Sequence, residues 1–329
     1  MLELALYGLA PQVRTLSDLV EIVVSDNCST DQTPSMVHKA HQWGPIRYFR
    51  NDKNVGIKNF ELCVERAAGE FVWLVGDDDM IIQNKISKIC EILKSNSDLD
   101  YFYVNHSLEP IEKRDYLIRE RESSYNPELS KCHCRDLSQR RLTLWDDLLS
   151  LDCRYPETTF TSIVCHIFRR SIWLENRHLL NIDLSQGMAS FDNIFPHIRI
   201  LAERMVGRPA YYIGDPCVLM GQGSQDWHGS WRTIMLLHLP TAIDLYERLG
   251  VSQEKIRHLR QSFLVDTAGS FLWLLLSTDV PGREYFSARK FLWSNRRHLI
   301  FLLAGILKTT QAKAYGLMRH IMRNYKVRY

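Results

Sequence analysis

Short apolar runs alternate with segments of helical periodicity between residues 21 and 108, and this alternation constrains the fold more than any other feature. The intervening segments place apolar residues every three or four positions and end in glycine or polar residues, which is typical of helices. The apolar runs are EIVVSDN (21–27), IRYFRND (46–52), FVWLVG (71–76) and YFYVNHSL (101–108). Strands and helices in this alternation predict a doubly wound α/β fold, and the strand patterns continue after residue 150.

Two stretches depart from the alternation. Residues 109–142 are charged and weakly periodic, so we expect a mobile insertion or lid inside a domain that spans residues 1–228. Residues 229–329 have helical periodicity and form a basic C-terminal region. From Arg283 onward eleven Lys or Arg stand against one acid, Glu284, although the formal net charge of the whole chain is only +3. The body of the protein is therefore acidic and its tail is basic.

Three successive aspartates, Asp77, Asp78 and Asp79, follow the run FVWLVG. In an open α/β sheet a ligand lies beyond the carboxyl ends of the strands, so we expect these carboxylates at the ligand edge. Their mutual repulsion is removed when a divalent cation binds between them and a substrate diphosphate. The alternative is an acidic surface turn that caps the next helix. We favour the metal site because the triplet adjoins an uninterrupted apolar strand.

A second polar site follows the strand pattern EIVV. It contains Asp26 and Asp31 in the stretch SDNCSTD (25–31), whose short side chains bond either their own turn or a ligand. A turn explains Ser29 and Thr30, but two aspartates are more than a turn needs.

The segments VEIVVSDNCSTDQT (20–33) and FRNDKNVGIKNFELCVERAAGEFVWLVGDDD (49–79) resemble the nucleotide-sugar half of family 2 glycosyltransferases with the GT-A fold, of the bacterial surface-polysaccharide or O-antigen type. The resemblance covers about residues 19–110 and, more weakly, 150–225. It implies a Rossmann-like mixed sheet with a helical C-terminal region.

The resemblance also implies roles for individual residues. Asp26 is expected to contact the nucleotide base, Asp77 to face the ribose, and Asp79 to hold Mn²⁺ or Mg²⁺ on the diphosphate. Asp78 is expected to take one of the last two roles. The family's turn into the helix beneath the nucleotide is matched by Asn54, Gly56 and Asn59, and Asn54 serves either that turn or the ligand.

The activity implied by the resemblance is an inverting transfer of sugar from a nucleotide-diphosphate donor to a glycan or lipid-linked acceptor hydroxyl. Such a transfer requires a base on the acceptor side. The candidate base is Asp192 in ASFDNIF, for which a helix N-cap is the alternative role. Weaker candidates are His197, His228 and Asp226.

One part of the family pattern is absent. Residues 1–16 have helical periodicity, whereas a sheet of this kind begins with its central strand. Without that strand its two neighbours lack backbone partners, at about 1–3 kcal/mol for each unpaired buried group. We favour an N-terminal extension as the explanation. The alternatives are that another segment fills the gap, or that the protein is a truncated, non-catalytic relative with a binding or scaffold role.

The tail, residues 283–329, is expected to bind an anionic membrane surface, because basic and apolar residues alternate at helical spacing near its end. A helix docked on its own domain is the alternative. The longest uncharged apolar run, 299–307, is about half of the ~20 residues that a transmembrane helix needs. The tail's aromatic residues are spaced as on a helix face, so we expect no nucleic-acid partner.

Eight scattered cysteines without a CxxC pair indicate a reducing compartment. We therefore expect a cytoplasmic protein, peripheral on the inner face of the plasma membrane. The sequence CHC (132–134) has no matching second pair, and we interpret it as incidental rather than as a metal site.

Overall fold

A computed structural model describes residues 2–110, 127–222, 228–277 and 279–311. Within them the strands are β1 (Val23–Asp26), β2 (Arg47–Arg50), β3 (Phe71–Trp73), β4 (Met80–Ile81), β5 (Tyr101–Pro110), β6 (Gln139–Leu142), β7 (His166–Arg169) and β8 (Ala210–Gln222). The helices are α1 (Leu2–Arg14), α2 (Thr33–Ala40), α3 (Lys58–Arg66), α4 (Lys85–Ser95), α5 (Arg170–Asn176), α6 (Phe191–Ile194), α7 (Pro196–Met205), α8 (Trp231–Arg248), α9 (Gln253–Leu276), α10 (Ala288–Ser294) and α11 (299–311).

The strands form two separate sheets. β1 and β2 pair in parallel as a sheet of their own, and the other strands form a sheet in the order β3-β7-β5-β8-β4, with β6 also paired to β8. β5 and β8 are parallel to each other, whereas the remaining pairings are antiparallel. The expected α/β fold with a mixed sheet and a helical C-terminal region is confirmed.

The strand expected at 71–76 is shorter than its apolar run. β3 covers only Phe71–Trp73 and runs antiparallel to β7. An apolar run indicates burial on both faces, and antiparallel strands can also be covered on both faces, so the run does not determine strand direction.

β1 and β3 lie at the edges of their sheets, and no described strand lies between them. Among the described residues β1 pairs only with β2, and β3 only with β7. The chain before β1 forms α1, as its periodicity predicts. Side chains join the two sheets instead, because Val24 of β1 and Val75, which follows β3, pack against one apolar cluster that includes Leu6 of α1. The sheet is therefore divided where the family pattern has its central strand.

The stretch 109–142, expected to be a mobile insertion or lid, carries regular structure in the residues that the structure describes. β5 extends to Pro110, and β6 pairs with β8. Between these strands Cys132 and Cys134 are buried, and Cys132 pairs with Ser107 of β5. The charges of β6 are compatible with a strand because an edge strand exposes one face to solvent. Residues 111–126 lie outside the described part of the chain.

The C-terminal helices share their core with the larger sheet. Apolar side chains of α8 and α9 pack in the same cluster as those of β5 and β7. Lys255 of α9 also forms ion pairs of 2.8 Å with Asp146 and Asp147, and its side chain is only 15% exposed. Of the helices described, none combines the length and the apolar composition needed to cross a membrane.

Candidate active site

Asp26 is the last residue of β1 and is almost fully buried. Its Oδ1 accepts a hydrogen bond of 2.7 Å from the backbone N–H of Ser29, and its Oδ2 accepts one of 2.6 Å from the Tyr48 hydroxyl. Nε of Arg50 lies 3.5 Å from the same Oδ2. Burial opposes ionisation, but these hydrogen bonds and the Arg50 charge outweigh it and lower the pKa of Asp26. The carboxylate is therefore held ionised in a fixed orientation at the end of β1.

The other aspartate of this stretch, Asp31, has a local role in the structure. It is exposed, and its Oδ1 accepts a hydrogen bond of 2.9 Å from the backbone N–H of Thr33, the first residue of α2. This contact satisfies one of the free N–H groups at the start of the helix.

Asn54 organises the turn that leads into α3. Its Oδ1 accepts hydrogen bonds of 2.8 Å from the backbone N–H of Gly56 and from the amide of Asn27. Gly56 has a φ of +57°, a conformation that glycine adopts without strain. Oδ1 of Asn27 in turn accepts a hydrogen bond of 2.9 Å from the backbone N–H of Val55. Of the two roles expected for Asn54, the structure displays the one in the turn.

Asn59 connects α3 to β1. Its amide donates a 2.8 Å hydrogen bond to the carbonyl of Ser25, and its Oδ1 accepts bonds from the Ser25 hydroxyl at 2.7 Å and from Asn51 at 2.9 Å. Arg66 closes the network with hydrogen bonds to Ser25 and Asn51. The amide of Asn59 is thus used within the protein, and it fixes the backbone next to Asp26.

The three consecutive carboxylates differ in exposure: Asp77 is exposed, Asp78 is half-buried and Asp79 is buried. Oδ2 of Asp79 accepts a hydrogen bond of 3.3 Å from the backbone N–H of Gly76. A Cβ at position 76 would lie 2.7 Å from Oδ1 of Asp78 and 2.9 Å from Oδ2 of Asp79, so only glycine permits both carboxylates to fold back over the turn. Burial and the negative charge of Asp79 also raise the pKa of the Cys165 thiol, so Asp79 lies near Cys165, the residue just before β7.

This arrangement fits a hard divalent cation. Carboxylate oxygens are the ligands that Mn²⁺ and Mg²⁺ prefer, and Mg²⁺ is commonly held by one or two carboxylates together with substrate phosphates and water. The three aspartates do not converge on a single point as a His, Cys or carboxylate cluster, because the described residues contain one such group and it lies elsewhere. The triplet alone therefore does not form a complete coordination shell.

Asp192 lies in the first turn of α6 and does not cap it. The cap is Ser190, whose hydroxyl accepts a hydrogen bond of 3.4 Å from the backbone N–H of Asn193. Oδ1 of Asp192 forms an ion pair of 2.6 Å with Nε of Arg199, and its Oδ2 accepts a 2.9 Å hydrogen bond from the backbone N–H of Asn181. Both oxygens have partners, and each retains lone pairs for a further donor.

The segment before α6 connects Asp192 to the Asn54–Gly56 turn. The amide of Asn193 donates hydrogen bonds to the carbonyls of Asp183, at 2.7 Å, and Gly187, at 3.1 Å. Leu184 lies in this segment, and its Cδ2 atom is 3.2 Å from the position that a Cβ of Gly56 would occupy. The structure therefore brings the acceptor-side candidate and the Asn54–Gly56 turn to opposite ends of one short segment.

The weaker candidate bases have other positions. His197 is buried, and its Nε2 lies 3.0 Å from the carbonyl oxygen of Phe160. Burial lowers the pKa of His197 to about 4, so the imidazole is neutral at pH 7 within the core. Asp226 lies outside the described residues, and His228 begins a short turn before α8.

Sequence patterns missed three residues that support Asp26 and its surroundings, Tyr48, Arg50 and Arg66. Tyr48 and Arg50 alternate with Phe49 in β2, the strand paired to β1, and Arg66 ends α3. The sequence did contain a signal for Tyr48 and Arg50. Polar residues at every second position of β2 share one face of the strand, next to the strand that ends in Asp26.

Comparison with known proteins agrees with this site. Residues 2–173, more than half of the chain, match the family described as Glycosyl transferase family 2. The chain belongs to this family, and it is a glycosyltransferase by that membership. The abequosyltransferase RfbV of Salmonella typhimurium strain LT2 is a relative that is 35% identical over 83 residues, or 24% of this chain. The match spans 25% of that relative's length, well short of the whole protein.

Solved structures show the same fold. Residues 1–349 of TarS from S. aureus superpose with a TM-score of 0.51 at 14% identity, over 94% of this chain and 88% of that chain. A longer TarS structure gives a TM-score of 0.50 at 15% identity, over 92% of this chain and 51% of that chain. These comparisons establish a GT-A glycosyltransferase fold for this chain.

Proposed function

We propose that this protein transfers a sugar, with inversion at the anomeric carbon, from a nucleotide-diphosphate donor to a glycan or lipid-linked acceptor hydroxyl. One observation carries the proposal. Val24 and Val75 pack against the same apolar cluster. Each lies two residues before an aspartate, so the chain reaches Asp26 and Asp77 from neighbouring positions in the two sheets. A donor that binds both must lie across the division between the sheets.

The chemistry of each residue decides which part of the donor we expect it to contact. Asp26, ionised and fixed by Tyr48, accepts a hydrogen bond from the base. Asp77, exposed, faces the ribose, and Asp79 holds Mn²⁺ or Mg²⁺, with Asp78 contributing to either contact. The bound cation supplies charge neutralisation for the departing diphosphate. Asn54 and Asn59 act mainly by shaping the turn and the backbone around Asp26.

We assign Asp192 as the base that acts on the acceptor hydroxyl. A carboxylate within hydrogen-bond reach of the attacking hydroxyl removes its proton as the new bond forms. The ion pair with Arg199 and the bond from Asn181 fix the orientation of Asp192 before the acceptor arrives. This fixed orientation supports a role in catalysis because a base must be held in place to be effective.

The surface around α10 and α11 supports an anionic membrane as the place where the acceptor is met. Ile300, Leu303 and Leu307 are exposed on one face of α11. A groove of about 880 Å³ beside them is lined by apolar and basic side chains, namely Leu292, Trp293, Leu299, Arg289, Lys290 and Arg296, with Ser287. Exposed apolar side chains bordered by cations are typical of helices that lie in a lipid interface. A peripheral position on an anionic membrane is the localisation that this surface favours.

The division between the sheets favours a second candidate function, a non-catalytic relative that binds a ligand without turnover. In such a protein Asp79 has no role in catalysis. The two candidates therefore differ in what happens when Asp79 is replaced.

A thermal-denaturation screen of nucleoside diphosphates, each with and without Mn²⁺, tests the proposal. A ligand that binds the folded state raises its stability, so one base is expected to raise the Tm further when Mn²⁺ is present. Asp79→Ala should abolish the Mn²⁺-dependent part and the turnover, whereas Asp98→Ala, at an exposed surface position, should change neither. A protein that no nucleotide stabilises in the presence of Mn²⁺ contradicts the proposal. Stabilisation without turnover, unaffected by Asp79→Ala, supports the second candidate.

A further inference from the structure

A buried cluster of His133, Cys134 and Cys153 lies in the core, away from the aspartate triplet in sequence. One potential ligand atom from each of the three residues lies within 4.8 Å of the other two. His133 and Cys134 belong to the CHC sequence, and Cys153 follows 19 positions later, so sequence spacing gave no sign of the cluster.

Backbone pairing brings the cluster together. The segment 132–134 pairs with Ser107 of β5 on one side and, through Cys134, with Cys153 on the other. Hydrogen bonds run from Arg154 N–H to the His133 carbonyl at 2.7 Å and from Arg135 N–H to the Asp152 carbonyl at 2.9 Å. They flank the Cys134–Cys153 pair, which is the antiparallel position at which facing side chains approach most closely.

One ring nitrogen of His133 lacks a hydrogen-bond partner among the described residues. Its ring is buried and stacks on His106, with centroids 4.9 Å apart and planes at 14°. Its Nε2 is buried without a hydrogen-bond partner in the described part of the protein. An unsatisfied buried nitrogen costs about 1–3 kcal/mol, and coordination of a metal removes that cost.

We propose that His133, Cys134 and Cys153 bind a zinc ion. Two thiolates and one imidazole are soft and borderline ligands that select zinc over Mg²⁺ or Mn²⁺. Three protein ligands leave one tetrahedral position, which a water molecule fills. The ion connects the segment before β6 to the segment that contains Cys153, and it uses none of the aspartates that we propose for the transfer reaction.

A disulfide between Cys134 and Cys153 is the competing chemistry for the same atoms. Both are thiols in the structure, and antiparallel pairs at this spacing satisfy the Cα separation of a disulfide. A disulfide would use only the two thiols, whereas zinc uses all three side chains of the cluster. The imidazole therefore favours the metal.

The test uses the full chain, expressed with zinc in the medium and purified without chelators. Elemental mass spectrometry is expected to find about one zinc per chain, and X-ray absorption at the zinc edge to find two sulfur neighbours at about 2.3 Å and one nitrogen at about 2.0 Å. Cys134→Ser and Cys153→Ser should each weaken zinc binding at least about tenfold. Cys90→Ser, on α4 and outside the cluster, is the matched control and should retain the metal.

Three results overturn the proposal: wild-type protein that takes up no zinc, a Cys134–Cys153 disulfide in peptide mapping under non-reducing conditions, or bound zinc with oxygen neighbours only. If the serine variants do not fold, the absorption spectrum of the wild-type protein decides by itself.

Discussion

The Tyr48 hydroxyl donates a hydrogen bond of 2.6 Å to Oδ2 of Asp26, which links the two strands of the smaller sheet at the proposed base-binding carboxylate. Burial and this hydrogen bond raise the pKa of Tyr48 to about 12, so the phenol remains a donor throughout the neutral range. The Asp26 carboxylate depends on that donor for its orientation.

Tyr48→Phe removes the donor without changing the ring. We expect the free energy of unfolding to fall by about 1 kcal/mol and the affinity for the preferred nucleoside diphosphate to fall severalfold, because Asp26 loses one of its fixed contacts. Thermal denaturation and titration calorimetry measure the two effects. Tyr285→Phe, at an exposed tyrosine, serves as the control. Unchanged nucleotide affinity in Tyr48→Phe and in Asp26→Ala would show that Asp26 does not contact the base.

Asn59→Ala removes three hydrogen bonds between α3, β1 and Asn51. We expect a loss of about 2–3 kcal/mol of stability, because Ser25 and Asn51 keep buried polar groups that no longer have this partner. Gln42→Ala, which removes an exposed amide, is expected to change stability by less than about 0.5 kcal/mol. Chemical denaturation provides the comparison. A variant of normal stability that fails to bind nucleotide would instead assign Asn59 to the ligand.

Asp192→Asn and Arg199→Gln form a matched pair, because each breaks the same ion pair and only the first removes the carboxylate. If Asp192 is the base, Asp192→Asn should lower kcat by about 10²–10⁴-fold with little effect on the donor KM. Arg199→Gln should lower kcat by less, because the carboxylate remains and the Asn181 N–H still holds it. Initial rates at saturating donor and acceptor give both values. Equal losses in the two variants would indicate that the ion pair is structural.

The buried imidazole of His197 makes stability depend on pH. Its pKa is about 4 in the folded protein because burial disfavours the charged ring, and it is near 6.5 in the unfolded chain. The stabilisation is therefore complete above about pH 6.5 and is lost as the pH falls toward 4, by up to about 3 kcal/mol. We expect His197→Gln to flatten this part of the stability profile, whereas His38→Gln, at an exposed position, leaves it unchanged. Urea denaturation at several pH values measures the slope, and an identical slope in His197→Gln contradicts the assignment.

Membrane binding is tested through the exposed face of α11. Ile300→Asp combined with Leu303→Asp should abolish cosedimentation with vesicles that contain phosphatidylglycerol, because two apolar contacts become charged. Replacing Arg296 and Arg297 by Glu should weaken binding by about 1 kcal/mol or more per position, and added salt should do the same. Leu129→Asp, an exposed leucine outside this surface, is the control. Binding that is insensitive to all these changes excludes the proposed surface.

The sequence predicted the elements whose periodicity is strong and local. The helix α1 and the strands β1, β2 and β5 appear where their patterns place them. It did not predict β6, because QRRL is charged and pairs through its backbone with β8, about 70 residues away. Apolar runs also gave no sign of strand direction, so the antiparallel pairing of β3 was not anticipated.

For the candidate site, the sequence located carboxylates but not their partners. Asp192 was weighed as an N-cap, whereas the structure gives the cap to Ser190 and the carboxylate to Arg199. Contacts of this kind depend on how a helix and a loop pack, and spacing along the chain does not encode them. For the same reason, the CHC sequence gave no indication that Cys153 lies beside it.

The division of the sheet also affects how the protein opens. A two-stranded parallel ribbon has little stability of its own, and in the described part of the chain β1 and β2 are joined to the larger sheet by side chains rather than by a backbone ladder. Amide protons of this ribbon should then exchange with solvent sooner than those of β5 and β8, through a local opening that leaves the rest folded. A sugar nucleotide that contacts both Asp26 and Asp79 would bridge the two sheets. Its binding would then slow the exchange of amide protons in β1 and β2.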